Sequence, residues 1–268
     1  MTIQTTGSKC AADIAALLRA RNPLLLIVTR EEARFERFAM EIAQGANLEL
    51  RCWDCATGIS NINGEPKNGG TSATEPGAAL SAIRDSRERQ LWILRDMSAW
   101  LRDPFVTRGL RSLARALPMA PRDQARSMIL LSPTNEIPPE LSGHAIVVEF
   151  PLPDRAEIAE LLDSAIAALP EDLKTTACEN GTRELAIDSA VGLTAEEANS
   201  CFAKSLVQQR KIDPVSVASE KKRVIARDKV LEWVDPIPGG LDSVGGLENM
   251  KAWLRERAGA FTQDAKAY

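Results

Sequence analysis

Five short apolar runs, separated by stretches with helical spacing, constrain this chain more than any other feature. They are Leu24–Thr29, Leu48–Trp53, Leu91–Leu94, Ser127–Ser132 and Ala145–Phe150. A strand covered on both faces carries apolar side chains continuously, whereas a strand with one wet face alternates. Between the runs, Cys10–Ala20 is rich in Ala and Leu, and Glu31–Gln44 sets Phe35, Phe38 and Ile42 at helical spacing. Gly77–Glu88 follows, and Phe105–Leu117 is amphipathic. Strand–helix alternation of this kind predicts an α/β fold, a parallel five-stranded sheet with helices on both faces. Thr57–Gly77, with five Gly and two Pro, reads as a mobile loop.

After Pro151 the strand signal ends. Asp154 caps a helix to about Leu169, with Ile158, Leu161, Leu162 and Ile166 on one face. Glu184–Val191 is a second helix. Thr194-Ala-Glu-Glu197 has the capping-box pattern and opens a third, and Asp213-Pro214 starts a fourth. Asp235–Gly240 holds the strongest breakers and reads as a linker. The expected organisation is an α/β domain over 1–150, a small all-α subdomain over 151–234, and a linker with the start of another module over 235–268.

Composition excludes several classes. Apolar content of 44% and charged content of 26% are ordinary for a globular chain. There is no apolar run of membrane-spanning length and no signal-peptide pattern at Met1, which predicts a cytoplasmic protein. A single histidine, His144, argues against a His-based metal centre or a Ser-His-Asp triad, and it reads as a turn residue. Cys52-Trp-Asp-Cys55 has dithiol spacing. Yet it sits at a strand end rather than a helix start, and Cys10, Cys178, Cys201 and His144 are scattered. The pair therefore reads as buried strand cysteines, and no metal site is expected. Trp92, Trp100, Trp233 and Trp253 read as core or interface anchors.

Net charge is −4, but Arg84–Arg126 holds ten Arg and five acids. Arg108, Arg111 and Arg115 share a helix face opposite Leu110, Leu113 and Leu117. No aromatic residues interleave them and Asp103 and Asp123 flank them, so a solvated face or a subunit contact is expected there rather than nucleic acid.

No G-x-x-x-x-G-K-[ST] occurs anywhere. Strand Leu24–Thr29 runs into Arg30-Glu-Glu-Ala33, with no Gly to wrap a phosphate, no Lys for its charge and no Ser or Thr for Mg²⁺. Even so, a set of segments in order is similar to the N-terminal half of the Ycf-type AAA+ ATPases. They are Asn22–Glu32, Trp53–Ile59, Leu91–Asp96, Ile129–Pro133, Ile137–Leu141, Pro151–Ile158 and Ser243–Leu247.

The resemblance implies a P-loop NTPase-like fold, a degenerate first AAA+ module with a helical lid, and then an active second module of which only the opening is present. It implies that Asp96 stands at a Walker B position and Asn135 at a sensor position. Asp242, Val244 and Gly245 would stand at an adenine-lining half-site. It further implies ATP and Mg²⁺ as cofactors of the intact protein, ring assembly, and remodelling of a protein partner. Met97 follows Asp96 where a catalytic Glu normally polarises water, and Pro133–Ala145 lacks an Arg. Losing one stabilising donor costs ~10²–10³ in rate and losing an arginine finger ~10³–10⁵. The expectation is a pseudo-ATPase with no catalytic residue and no tightly bound cofactor, serving assembly or partner recognition. The alternatives are a stand-alone regulator of an AAA+ ring or a thiol sensor using Cys52 and Cys55.

Overall fold

The structure, a computed structural model, describes residues 5–66, 73–170, 174, 181–226 and 238–257. The chain divides into two units, residues 1–221 and 222–268. The first begins with α1 (Thr6–Arg19), β1 (Leu24–Val28), α2 (Glu32–Gly45), β2 (Glu49–Asp54), β3 (Gly58–Ser60) and α3 (Pro76–Asp85). It continues with β4 (Gln90–Arg95), α4 (Pro104–Ala116), β5 (Arg126–Ser132), α5 (Pro139–Ser142) and β6 (Ile146–Glu149). Four helices follow: α6 (Arg155–Ala167), α7 (Thr182–Ala190), α8 (Ala195–Gln209) and α9 (Pro214–Ile225), the last running across the division.

The sheet order is β3-β2-β4-β5-β1-β6. All five expected strands are present and parallel to one another. Their side chains alternate between two cores, as a period of two requires. Leu24, Leu26, Trp92, Leu94, Met128 and Leu130 face α3 and α4. Leu25, Ile27, Leu91, Ile93, Ile129 and Leu131 face α1 and α2, meeting Ile14, Phe35 and Ile42. Fully burying each such side chain stabilises by roughly 1.5–3 kcal/mol, which is why the runs are continuous.

The sixth strand corrects the sequence reading. Thr57–Gly77 does not stay a loop from its start, since β3 pairs antiparallel with β2, Trp53 opposite Ile59. The cause is local turn chemistry. The Asp54 carboxylate accepts from the Ala56 and Thr57 amides and the Thr57 hydroxyl, and Gly58 takes φ +74°. An Asx turn followed by a left-handed glycine reverses the chain into a hairpin. Further on, the Trp53 indole donates to the Ala73 carbonyl at 2.8 Å, and Pro76 begins α3. Residues 67–72 of that segment lie outside the described residues, as do Cys178 and Trp233.

All four expected C-terminal helices of the first unit are present. Both predicted caps hold: Asp154 with Glu157 and Thr194 with Glu197 form reciprocal capping boxes. Ile158, Leu162, Ile187, Phe202 and Val217 are buried. In the second unit, a turn of 3₁₀ helix at Gly240–Ser243 precedes α10 (Glu248–Arg257), and Arg255 pairs with Asp242.

Candidate functional site

Ligands of open α/β sheets bind outside the carboxyl ends of the strands, where the winding changes direction. Here α2 leaves β1 on one face while α3 and α4 cover the other. The crevice therefore falls beyond the ends of β1, β2, β4 and β5. Charged residues fill it, and they pair with one another.

The first cluster starts where β1 turns into α2. Glu31 is the residue before the first turn of α2, and its carboxylate accepts from Arg34 at 2.7 Å, both side chains being 4% exposed. Its other oxygen accepts from the Ala195 amide at 2.6 Å, in the first turn of α8. Arg34 in turn donates to both oxygens of Glu157 on α6, at 2.8 and 3.0 Å, and to the Pro151 carbonyl at 2.6 Å. Its guanidinium carbon lies 4.8 Å from the Phe150 ring centroid. A helix N-terminus with free amides is a ready anion site. The Glu31 carboxylate takes that place at the start of α8, and the buried Arg34 guanidinium ties α2 to the helical subdomain.

The second cluster centres on Arg95, the last residue of β4. Its guanidinium lies 2.7 Å from Glu36, 3.3 Å from Glu32 and 3.4 Å from Asp54. Burial works against its charge, yet the hydrogen bond and attraction of Glu36, and then Glu32, raise its pKa above the ordinary value. Burial, then repulsion from Glu36, push the Glu32 carboxyl up. Burial alone would also raise Asp54, but hydrogen bonds from Thr57, Ala56 and Arg95 hold it below the usual range.

P-loop NTPases set a metal-holding carboxylate at the end of this strand and a Lys in the loop after β1. Here β1 runs into Arg30, Glu31 and Glu32 with no Lys, and β4 closes on the guanidinium of Arg95 with Asp96 next to it. A guanidinium has no lone pair for a cation, and carboxylates repel a triphosphate. The residues present do not fit Mg²⁺–ATP. A cavity of ≈ 330 Å³ beside Arg34 is bordered by Arg37, Glu41, Glu157 and Glu160, an acidic lining that suits phosphate no better.

Of the residues singled out from sequence, Asp96 lies one position past the strand, exposed and at φ +50°. Asn135 is exposed, three residues beyond β5. Both stand at the same rim, and no hydrogen bond joins them among the described residues. Asp242, Val244 and Gly245 lie in the second unit, exposed. Arg108 and Arg115 are exposed on α4 and Arg111 is half-buried, with Leu110, Leu113 and Leu117 buried opposite. The sequence reading did not single out Arg34, Arg95, Glu36 or Glu157. A charge closing the apolar run of β4 was the one signal for Arg95.

The cysteine pair needs a correction. Cys52 is buried on β2, but Cys55 is exposed in the turn after it. Burial pushes the Cys52 thiol up to about 12, so it stays protonated and cannot act as a nucleophile. We expect a disulfide-exchange reagent to label Cys55 in the folded chain and Cys52 only after denaturation. A Cys52–Cys55 disulfide under mild oxidant would overturn this.

The fold and the modified crevice point to one class, the AAA ATPases. Residues 10–150 match the SpoVK-like AAA ATPase N-terminal domain and residues 156–228 the second domain of that family, so the chain belongs to the SpoVK-like AAA ATPases. It is 30% identical over 262 residues to the uncharacterized AAA domain-containing protein ycf46 of Guillardia theta, and 29% identical to that of Trieres chinensis. Those alignments cover 96% of this chain but 49% and 50% of the relatives, so the chain spans about half their length. Among solved structures, the FIGL-1 AAA domain in complex with ADP aligns with a TM-score of 0.53 at 10% identity, over 92% of this chain and 82% of that one. That likeness is one of fold. No helix among the described residues is long and apolar enough to cross a membrane.

Proposed function

We propose that residues 1–234 form a non-hydrolysing AAA+ module, an α/β domain over 1–150 and a lid over 151–234, which serves assembly or partner recognition. Residues 235–268 open a second module, and the longer protein uses ATP and Mg²⁺ there to remodel a protein partner within a ring. The observation that carries this is the charge of the crevice. Glu31, at the start of α2 where a phosphate loop would lie, is tied to Arg34 and to the Ala195 amide of the lid, and the Arg95 guanidinium closes β4 against Glu36. Arg34 further bonds the lid through Glu157 and the Pro151 carbonyl.

The 268-residue chain, incubated with ATP and Mg²⁺, is expected to release no phosphate above the protein-free blank and to leave the anisotropy of a fluorescent ATP analogue unchanged. Phosphate release that disappears in an Asp96→Asn variant would overturn the reading.

A further inference from the structure

Most arginines in the described crevice and lid are matched to acids: Arg34, Arg95, Arg155 and Arg183 each have one within 3 Å. Arg108, Arg111 and Arg115 on α4 have no acidic or hydrogen-bonding partner among the described residues, and the Nε of Arg111 is buried without one. Leaving such a donor unmatched is costly in a folded protein.

At the two ends of this row stand large apolar side chains in water. Phe105 is 69% exposed and Met119 is 85% exposed. Helical angles of 100° per residue put Phe105, Arg108 and Arg115 on the side of α4 away from Val106, Leu110, Leu113 and Leu117. Phe105 and Met119 are separated by ~20 Å at the helical rise per residue.

Close packing of α3 on α4 supports this face. A Cβ on Gly77 would meet the Phe105 ring at 2.9 Å, and a Cβ on Gly109 would meet Leu80 at 2.7 Å. Two glycines thus let α3 and α4 approach closely and seat the exposed ring. A preorganised surface loses little entropy when it binds.

We infer that the outer face of α4 docks an acidic protein segment that carries an apolar residue near each end. This rests on the reading of the module as a partner-recognition element and specifies what it recognises. Charge distribution favours that occupant. Residues 102–123, which carry α4, hold five Arg and two Asp, +3 in a chain of −4, and that local charge attracts an acidic partner. A nucleic-acid backbone fits less well. It offers nothing apolar to cover Phe105 and Met119.

The test uses the 268-residue chain and labelled synthetic peptides of about 18 residues, long enough to form helix on binding. One peptide is Glu/Ala-rich with a Leu pair near each end. A second has the same composition with the Leu residues moved to its centre. A third replaces every Glu by Lys. A DNA duplex of matched length is the fourth probe. The first peptide should bind best by anisotropy and weaken as salt is raised. Its affinity should fall at least ~10-fold in the Arg108→Glu/Arg115→Glu variant and comparably in Phe105→Ser/Met119→Ser, all four positions being exposed and their folding checked by thermal melting.

No binding of the first peptide, or binding by either variant as tight as by wild type, overturns the inference. So does tighter binding of the DNA, which would assign the face to nucleic acid, or equal binding of the second peptide, which would remove the role of the apolar ends. The nucleotide assay is independent of all four probes, so failure here leaves the pseudo-ATPase reading standing or falling by itself.

Discussion

Replacing Arg34 by Met will destabilise the first unit by ~3–5 kcal/mol, the usual cost of leaving buried charges without their partner. That is a large share of the ~5–15 kcal/mol that keeps a domain folded. The cost arises from what stays behind. Glu31 is 4% exposed and Glu157 11% exposed, and both lose their cation. Pro151 loses a donor, and the Phe38 and Phe150 rings lose the guanidinium stacked on them. The expected result is a urea midpoint well below wild type. It should come with faster amide exchange in the first turns of α6 and α8, while β5, buried along its whole length, is least affected.

Two companions separate the ion pairs from simple packing. Glu31→Gln/Arg34→Met/Glu157→Gln removes the charges together and should recover much of the loss, because matched apolar or neutral replacements avoid the desolvation penalty. Gly7→Val approaches the same cluster from α1. A Cβ there would lie 2.8 Å from both the Arg34 and Glu157 side chains, so this variant should loosen the lid without touching a charge. An Arg34→Met midpoint equal to wild type would remove the clasp from the account.

The contrast between what was legible and what was not has a physical cause. Strands β1, β4 and β5 were readable because burial on both faces demands uninterrupted apolar side chains, and Leu24–Val28 alone shows both cores in alternation. The caps at Asp154 and Thr194 were readable because their partners lie three residues away. The β3 hairpin was hidden since Asp54–Gly58 looks, by composition, like the polar and glycine-rich stretch that follows it. The Arg34–Glu157 and Glu31–Ala195 bonds span 123 and 164 residues, a distance no local pattern encodes. For Asp96, the sequence showed the right neighbourhood but not that the strand ends one residue earlier, on Arg95. The absence of a phosphate loop was plain from the residues after Thr29. That the vacated charges are matched internally required the fold.

Arg95→Asp tests that matching from the other side. It returns a carboxylate to the end of β4, where a P-loop NTPase holds its metal. Nucleotide binding should nevertheless stay absent, because no glycine loop or Lys follows β1. The variant instead gathers four carboxylates, the new one with Glu32, Glu36 and Asp54, around a place where a single guanidinium balanced three. We expect a loss on the order of 3 kcal/mol at neutral pH, as for other broken, largely buried pairs.

The pH dependence should change as well. In wild type, Asp54 is held below its unfolded pKa, so its contribution is present at neutral pH and fades as pH falls through the folded value. Glu32 is held above its unfolded pKa, so the folded state binds more protons and its share of stability falls as pH rises through the folded value. Without Arg95 the attraction that lowers both carboxyls is gone, and mutual repulsion raises them further. The variant should therefore gain stability between neutral pH and about pH 5 relative to wild type, read as urea midpoints across that range. A flat profile, or Mg²⁺-dependent nucleotide binding by the variant, would mean that Arg95 is not what balances the carboxylates of the crevice.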